Sequence, residues 1–545
     1  MKQYDIIVIG GGVNGCGVAR DAALRGLKVL LLEKNDFSAG TTWASSGMIH
    51  GGVRYLFHDV ETTKRACEDS GYIQKIAPHL LFRIPFLAPM MRTKSAAFDR
   101  FMLEGMKTFF EAYDAFQPMK RGKPSLSLNP EQVRRLEPMI QADISGAASI
   151  DEWGIDCPRL CLLNALDAAK NGADVYNHAE VVEFIKEGNA VKGVTYRDKS
   201  GRIEKAEAKL VVNASGPWSP KVAKMAGGEI KLRPAKGVHV VFPGRVSHFA
   251  VIVEAADKRQ MFIMPHENTT MIGTTDDDFY GDPDDIPATL DEVRYLIQAV
   301  ARFIPAVKYM RPMRVISAIR PTIHEWGKLE DALTREHEII DHAKQGAPGM
   351  ISLIGGKLAS YRVMSEETVD VAMRMIGGEG KCSTHISKLP GGDFVPKAED
   401  LAAKYGVSIA VARRLSYRHG SLASEVLELM KQKPQYRRVI CECEPVIEAE
   451  IRWAIRSEMA YTIGDITRRT RLGDGPCQGR DCVFSAGVIL GEELGMSEAD
   501  VMTEIKAWHD KRRFEQHAVL KSFIPQTTMT QASFADLFKQ AASKR

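Results

Sequence analysis

A glycine-rich turn between an apolar run and a helix constrains this chain more than any other feature in it. Tyr4-Asp5-Ile6-Ile7-Val8-Ile9 leads into Gly10-x-Gly12-x-x-Gly15, and the acid Glu33 closes the next apolar run eighteen residues after Gly15. Gly10 permits a tight turn, Gly12 lets backbone approach a pyrophosphate, and Gly15 with Gly17 lets a helix lie close on a sheet. Phosphate then meets free N–H groups at a helix start, where the macrodipole favours negative charge. Glu33 is placed to accept hydrogen bonds from a ribose diol. Such a turn alone is a weak signal, but here strand, helix and acid fall in register. Residues 5–33 are therefore expected to open a Rossmann-type nucleotide unit.

Buried-strand signals return far downstream. Leu210-Val211-Val212-Asn213-Ala214 runs into Ser215-Gly216-Pro217, and Met350-Ile351-Ser352-Leu353-Ile354 runs into Gly355-Gly356. The nucleotide domain is thus expected to be discontinuous, with parts at about 1–80, 150–225 and 345–392. Between them Val238-His239-Val240-Val241-Phe242, Met261-Phe262-Ile263-Met264 and Met271-Ile272-Gly273 read as strands of an inserted antiparallel sheet. The breaker Leu389-Pro390-Gly391-Gly392-Asp393 sets a boundary at 392. Beyond it we expect a helical segment 393–435, a cysteine module 436–490 and a helical tail 491–545. After Glu33, Asp36-Phe37-Ser38-Ala39-Gly40-Thr41-Thr42 and Ala44-Ser45-Ser46-Gly47 are small and hydroxyl-rich. Such a segment suits a pyrophosphate and ribityl chain, pointing to FAD over NAD; the alternative is a plain polar loop.

Four of the nine cysteines crowd into Cys441-x-Cys443 and Cys477-x4-Cys482, separated by 33 residues. Four thiolates suit an iron–sulfur cluster or tetrahedral zinc. Zinc modules more often carry Cys-x2-Cys pairs, so this spacing favours 2Fe–2S, with zinc the alternative. Gly475 and Gly479 free backbone N–H groups for sulfur, and Arg468, Arg469 and Arg471 either offset cluster charge or form a solvated face. Cys16, Cys157 and Cys161 read as core packing.

The net charge of +4 on 545 residues gives no electrostatic case for nucleic acid. A strand beginning at Tyr4 leaves no room for a secretion signal, no run of eighteen apolar residues exists, and nine unpaired-looking cysteines suit a reducing compartment. The expected location is cytoplasmic. Leu80–Arg92 is apolar with arginines, and Phe98, Phe101, Met102, Met106, Phe109 and Tyr113 follow at helical spacing. This stretch either lies on the inner face of the cell membrane, with Arg92, Lys94 and Arg100 near headgroups, or packs on the body.

Ile49-His50-Gly51-Gly52-Val53-Arg54-Tyr55, Val212-Asn213-Ala214-Ser215-Gly216-Pro217-Trp218, Pro234-Ala235-Lys236-Gly237-Val238-His239, Ile272-Gly273-Thr274-Thr275-Asp276, Ile319-Arg320-Pro321, and Gly355-Gly356-Lys357-Leu358 with Tyr361-Arg362 follow Gly10–Glu33 in order. Together, over about residues 4–392, they resemble the FAD-dependent glycerol-3-phosphate dehydrogenases, which belong with the D-amino-acid-oxidase-like flavoproteins. The cysteine tail is similar to that of the large subunit of the anaerobic enzyme, where it resembles bacterioferritin-associated ferredoxin. By contrast, Gly40–His50 and Leu81–Phe116 look closer to the single-chain, quinone-reducing relatives.

The resemblance implies an α/β + α fold: a discontinuous Rossmann-like FAD domain with an inserted antiparallel-sheet substrate domain, then a small helical domain and a 2Fe–2S module. It implies that FAD contacts Gly10, Gly12, Gly15, Glu33, Thr41, Thr42, Ser45, Ser46, His50, Gly51, Val181, Ala214, Gly216, Gly355, Gly356, Lys357 and Leu358. It implies that Arg54, Tyr55, His239, Arg320, Arg335 and Lys357 line the substrate pocket. Those residue types suit the chemistry. Arginines and a lysine capture phosphate, a histidine serves as base, and Arg320 steadies the developing oxygen charge. Family members often carry a hydroxyl where this chain has Ala359. The expected reaction is oxidation of glycerol 3-phosphate to dihydroxyacetone phosphate, with electrons passing to a partner protein or quinone. The alternatives are a sibling acting on a 2-hydroxy acid or amine, and a non-catalytic electron-carrying subunit.

Overall fold

The computed structural model describes residues 2–53, 60–117, 119–120, 122–327, 333 and 336–522, with side chains as far as 520. Arg54, Tyr55 and Arg335 lie outside the described residues.

Ile6-Ile7-Val8-Ile9 is apolar at every position because its strand, Lys2–Ile9, is buried on both faces, as parallel strands usually are. It pairs in parallel with Val29–Leu32 on one side and Ile203–Asn213 on the other. Met350–Gly355 extends the parallel set beyond Ile203–Asn213, and Asp174–Tyr176 extends it beyond Val29–Leu32. Ile6 and Val8 pack beneath the helices Val13–Leu24 and Cys157–Lys170, while Ile7 and Ile9 face Val194, Val211 and Ala223. The parallel part of this sheet thus draws strands from residues 2–9, 29–32, 174–176, 203–213 and 350–355.

A second, nine-stranded sheet is built around Leu232–Pro243, which pairs antiparallel with Thr269–Gly273 and with Arg314–Ile323. It is mixed rather than wholly antiparallel, because Leu81–Met91 joins Ala250–Glu254 in parallel. That strand corrects the membrane reading of Leu80–Arg92. Ile84, Phe86, Leu87 and Ala88 are buried in the sheet, so their apolar character serves the core. The following helix, Ala96–Asp114, buries Phe110 and Tyr113 but leaves Phe98 51% and Phe101 73% exposed.

Past residue 392, short helices close a small core around Leu401, Leu415, Val426 and Tyr436. The cysteine module has its own core, formed by the helices Glu448–Ser457, Ile463–Thr470 and Val483–Leu494 with the long terminal helix Glu498–Ser522. Buried ion pairs fasten both to the nucleotide domain: Arg159 to Glu458 at 2.7 Å, Arg418 to Asp156 at 2.6 Å and Arg468 to Asp36 at 2.6 Å. Removing one partner of such a pair strands a buried charge, at a cost of about 3–5 kcal/mol. Arg468 and Arg469 both bind Asp36, so they are docking residues rather than a counter-charge for a cluster.

Candidate functional site

A cleft of about 810 Å³ opens where the parallel strands end, running from the glycine turn past Glu33 and Gly355 to the terminal helix. Gly10 takes φ 107°, and a Cβ on Gly15 would fall 1.8 Å from the Gly10 carbonyl oxygen, so only glycine lets helix and strand meet here. Glu33 serves the turn itself, accepting from the N–H groups of Gly11 at 2.6 Å and Asn35 at 2.7 Å while also lining the cleft. Val13 N–H donates to the Thr42 hydroxyl at 3.1 Å, which seats the hydroxyl-rich segment against the helix start.

The cleft suits a dinucleotide by shape and by its polar atoms. A Cβ on Gly12 would meet only Thr42 Oγ1, at 3.5 Å, so the backbone is open to a ligand there. Asn14 Oδ1 and Trp218 Nε1 are buried without hydrogen-bond partners among the described residues, and both residues line the cleft. So do Gly10, Gly12, Glu33, Thr41, Thr42, Ser45, Val181, Ala214, Gly216, Gly355, Gly356, Lys357 and Leu358. Gly15 sits behind the turn, and Gly51 lies under Lys357, whose Nζ donates to its carbonyl at 3.0 Å. Ser46 and His50 are not among the lining residues.

His239 and Arg320 come together on two neighbouring strands of the second sheet, Leu232–Pro243 and Arg314–Ile323. His239 stands opposite Gly273, where a Cβ would fall 2.2 Å from the imidazole. Gly237 makes equivalent room for Arg320, whose Nη2 would lie 2.7 Å from a Cβ there. Arg320 is braced by Asp276 at 2.8 Å and Thr274 Oγ1 at 3.1 Å. His239 is buried and, among the described residues, neither ring nitrogen has a partner. Burial, with Arg320 adding to it, pushes its pKa down to about 3, so the imidazole is neutral and able to accept a proton. Residues 315–319, on the strand that carries Arg320, form part of the nucleotide cleft, which places this pair at its edge. Ala359 is buried and offers no hydroxyl.

Residues 5–362 match the FAD dependent oxidoreductase family, and residues 382–501 match the C-terminal domain of alpha-glycerophosphate oxidase. A subunit of the anaerobic glycerol-3-phosphate dehydrogenase of Haloferax volcanii is 32% identical over 97% of this chain and 89% of its own length. The chain belongs to the FAD-dependent glycerol-3-phosphate dehydrogenase family. The corresponding polypeptide of the anaerobic enzyme of Escherichia coli K12 is 30% identical over 94% of this chain and 92% of its own. Among solved structures, the FAD complex of the Bacillus halodurans glycerol-3-phosphate dehydrogenase superposes with a TM-score of 0.74 at 25% identity, covering 94% of this chain and 95% of that one.

In this dehydrogenase the four C-terminal cysteines are free thiols in two facing pairs, Cys441 with Cys482 and Cys443 with Cys477. The Cys482 thiol, then the N–H groups of Gly473 and Glu444, hold Cys441 down to about 6. Among the described residues, no three of these sulfurs lie within 4.8 Å of one another. The loop that carries them reaches the cleft through Asp474. Arg314 binds Asp474 at 2.9 Å, and its guanidinium lies 5.7 Å from the ring of Trp43, a cleft residue. Asp36, His178 and Asp465 also converge, but Arg468, Arg469, Asn177 and the N–H groups of Tyr461 and Thr462 already occupy the carboxylates. That knot is interdomain glue. Cys16, Cys157 and Cys161 are buried packing, as their spacing suggested. The cleft residues that sequence reasoning missed fall into two groups. Trp43 stands beside a recognised segment and Trp218 closes a recognised motif without having been assigned a role, whereas Trp508 and Lys511 arrive from the far end of the chain with no local signal.

Proposed function

We propose that this dehydrogenase oxidises sn-glycerol 3-phosphate to dihydroxyacetone phosphate and passes the electrons, by way of the four-cysteine module, to a partner protein or quinone. The observation that carries the first half is His239, a buried neutral imidazole with both ring nitrogens partnerless among the described residues, beside the Arg320 guanidinium. An alcohol entering that space gives its hydroxyl proton to a ring nitrogen of His239. Arg320, held by Asp276 and Thr274, stabilises the negative charge that develops on the same oxygen. By the family resemblance Arg54 and Arg335, which lie outside the described residues, would join Lys357 in supplying cations to the phosphate end, a set that exceeds what one carboxylate of a 2-hydroxy acid would need. Bound FAD supplies the hydride acceptor.

The second half is supported by the sulfur geometry. Four thiolates about 2.3 Å from a single zinc would place every sulfur pair about 3.8 Å apart. Two separate pairs suit two metal atoms instead, with Cys441 and Cys482 on one iron and Cys443 and Cys477 on the other. A 2Fe–2S group there supplies one-electron relay chemistry.

The deciding experiment is anaerobic titration of the purified protein with glycerol 3-phosphate. Bleaching of the flavin absorbance, followed by a reduced-cluster EPR signal, is expected. Bleaching by 2-hydroxyglutarate or an amino acid but not by glycerol 3-phosphate would hand the site to the sibling activity.

For the exposed face of the helix Ala96–Asp114, we propose contact with an anionic membrane surface. No described helix is long and apolar enough to cross a membrane. The protein should float with anionic liposomes, and Phe101→Glu, which leaves the core intact, should abolish flotation; equal flotation of both proteins removes the idea.

A further inference from the structure

The terminal helix Glu498–Ser522 packs against the strand Arg314–Ile323 and walls one side of the nucleotide cleft. Trp508 fixes its position: the indole Nε1 donates to Thr467 Oγ1 at 3.0 Å, and a Cβ on Gly479 in the cysteine loop would fall 2.2 Å from the ring. Nearly one turn further on, Lys511 lines the cleft. The residue is exposed to solvent as well as lining the cleft, so its ammonium is reachable by a ligand there.

Most other cations of the cleft are committed. Lys34 pairs with Asp284 at 2.6 Å, Arg468 with Asp36 and Asp465, and Lys357 donates to Gly51. Among the described residues, Lys511 has no carboxylate within ion-pairing distance. Lys221 shares that property but lies on an outer rim common to a neighbouring surface groove. Burial and the nearby Arg468 push the Lys511 ammonium pKa down. Glu515, Asp465 and Asp36 act in the other direction from beyond pairing distance, and an anion in direct contact would add to that compensation.

We infer that Lys511 is a phosphate ligand of the nucleotide site, its ammonium pairing with the diphosphate of the dinucleotide, so that the cofactor itself ties the terminal helix to the oxidoreductase body. The inference rests on the flavin reading of the cleft. The diphosphate is the anionic part of FAD at neutral pH, and a lysine amine is a compact point charge suited to it. Because the same helix clamps the cysteine loop through Trp508, and Arg512 binds Asp474 at 3.0 Å, cofactor loading and docking of the cysteine module become linked equilibria.

The test uses full-length apoprotein titrated with FAD, followed by quenching of flavin fluorescence, and with ADP as a probe that carries a diphosphate without a flavin. Lys511→Met should weaken both ligands about tenfold, the scale of one charge-assisted hydrogen bond, and flatten the salt dependence of FAD binding. Lys511→Arg should restore most of the affinity, and Lys221→Met should leave it unchanged. FAD should protect the terminal helix from limited proteolysis in the wild type and not in Lys511→Met. The KM for glycerol 3-phosphate at saturating FAD should stay constant, which separates the cofactor's phosphate from the substrate's. Wild-type FAD affinity in Lys511→Met overturns the inference, as does a raised KM with unchanged FAD binding. Should Lys511→Met fail to fold, Lys511→Arg and the wild-type salt dependence still decide it. A wild type that binds no FAD at all would defeat the flavin reading instead, a separable outcome.

Discussion

His239→Gln is expected to lower kcat/KM for glycerol 3-phosphate by about 10²–10⁴-fold, the usual contribution of a positioned general base. Flavin content should be unaffected, because His239 is not among the residues lining the nucleotide cleft. Glutamine nearly fills the imidazole's place against Gly273 and Phe262 but cannot carry away a proton. The pH dependence gives an independent check. Burial, with Arg320 beside it, lowers the His239 pKa to about 3, and the proton-accepting form is the one above that value. The base is therefore present at every pH from 5 to 8, and kcat/KM should show no histidine inflection in that window. The substrate's phosphate titrates near pH ~6, but that inflection belongs to the free substrate and should appear unchanged in His239→Gln. An inflection found in the wild type and lost in the variant would show that His239 titrates near neutrality and that the pocket is wetter than its burial indicates. A kcat/KM within tenfold of the wild type would remove His239 from the chemistry.

The nucleotide site was largely legible in the sequence because its physics is local. Gly10 and Gly15 answer a steric need and Glu33 a hydrogen-bonding one, all set within one strand–turn–helix unit, and spacing alone exposes those needs; the backbone at Gly12 is simply open. The pairing of His239 with Arg320 was not legible from spacing, since it depends on cross-strand register and on two glycines, Gly237 and Gly273, whose missing side chains make the room. Resemblance to a family supplied that pair. Leu80–Arg92 stayed open between membrane surface and core for an equally physical reason: an apolar strand flanked by arginines has the composition of an interfacial segment, and only the sheet shows that Phe86 and Leu87 face a core. Arg468 and Arg469 misled in the same way, their charge being read against nearby sulfur when Asp36, more than four hundred residues earlier, was the partner. Lys511 carries no local signature, because it meets the glycine turn only in a cleft that both line from opposite ends of the chain.

The second large effect is expected at the cysteines. Cys477→Ser should leave flavin bleaching by glycerol 3-phosphate intact while cutting electron delivery to a quinone by more than about a hundredfold, beyond the ~10–100-fold typical of losing a partner outside the ligand shell. The two halves should separate because the thiols stand apart from His239 and Arg320, reaching the cleft only through the Asp474–Arg314–Trp43 contacts. Cys441 and Cys482 are buried, whereas Cys443 and Cys477 are half-exposed. Iron analysis of anoxically purified wild type should find two atoms per chain in a 2Fe–2S group, and Cys477→Ser should lose them along with the EPR signal. A structural zinc predicts the opposite pattern. The metal found would be zinc, Cys477→Ser would lower the melting temperature by loosening the module's core, and electron delivery from the folded fraction would be unchanged. Because stability and electron delivery move independently under the two readings, one substitution followed by both measurements separates a conductor from a clasp.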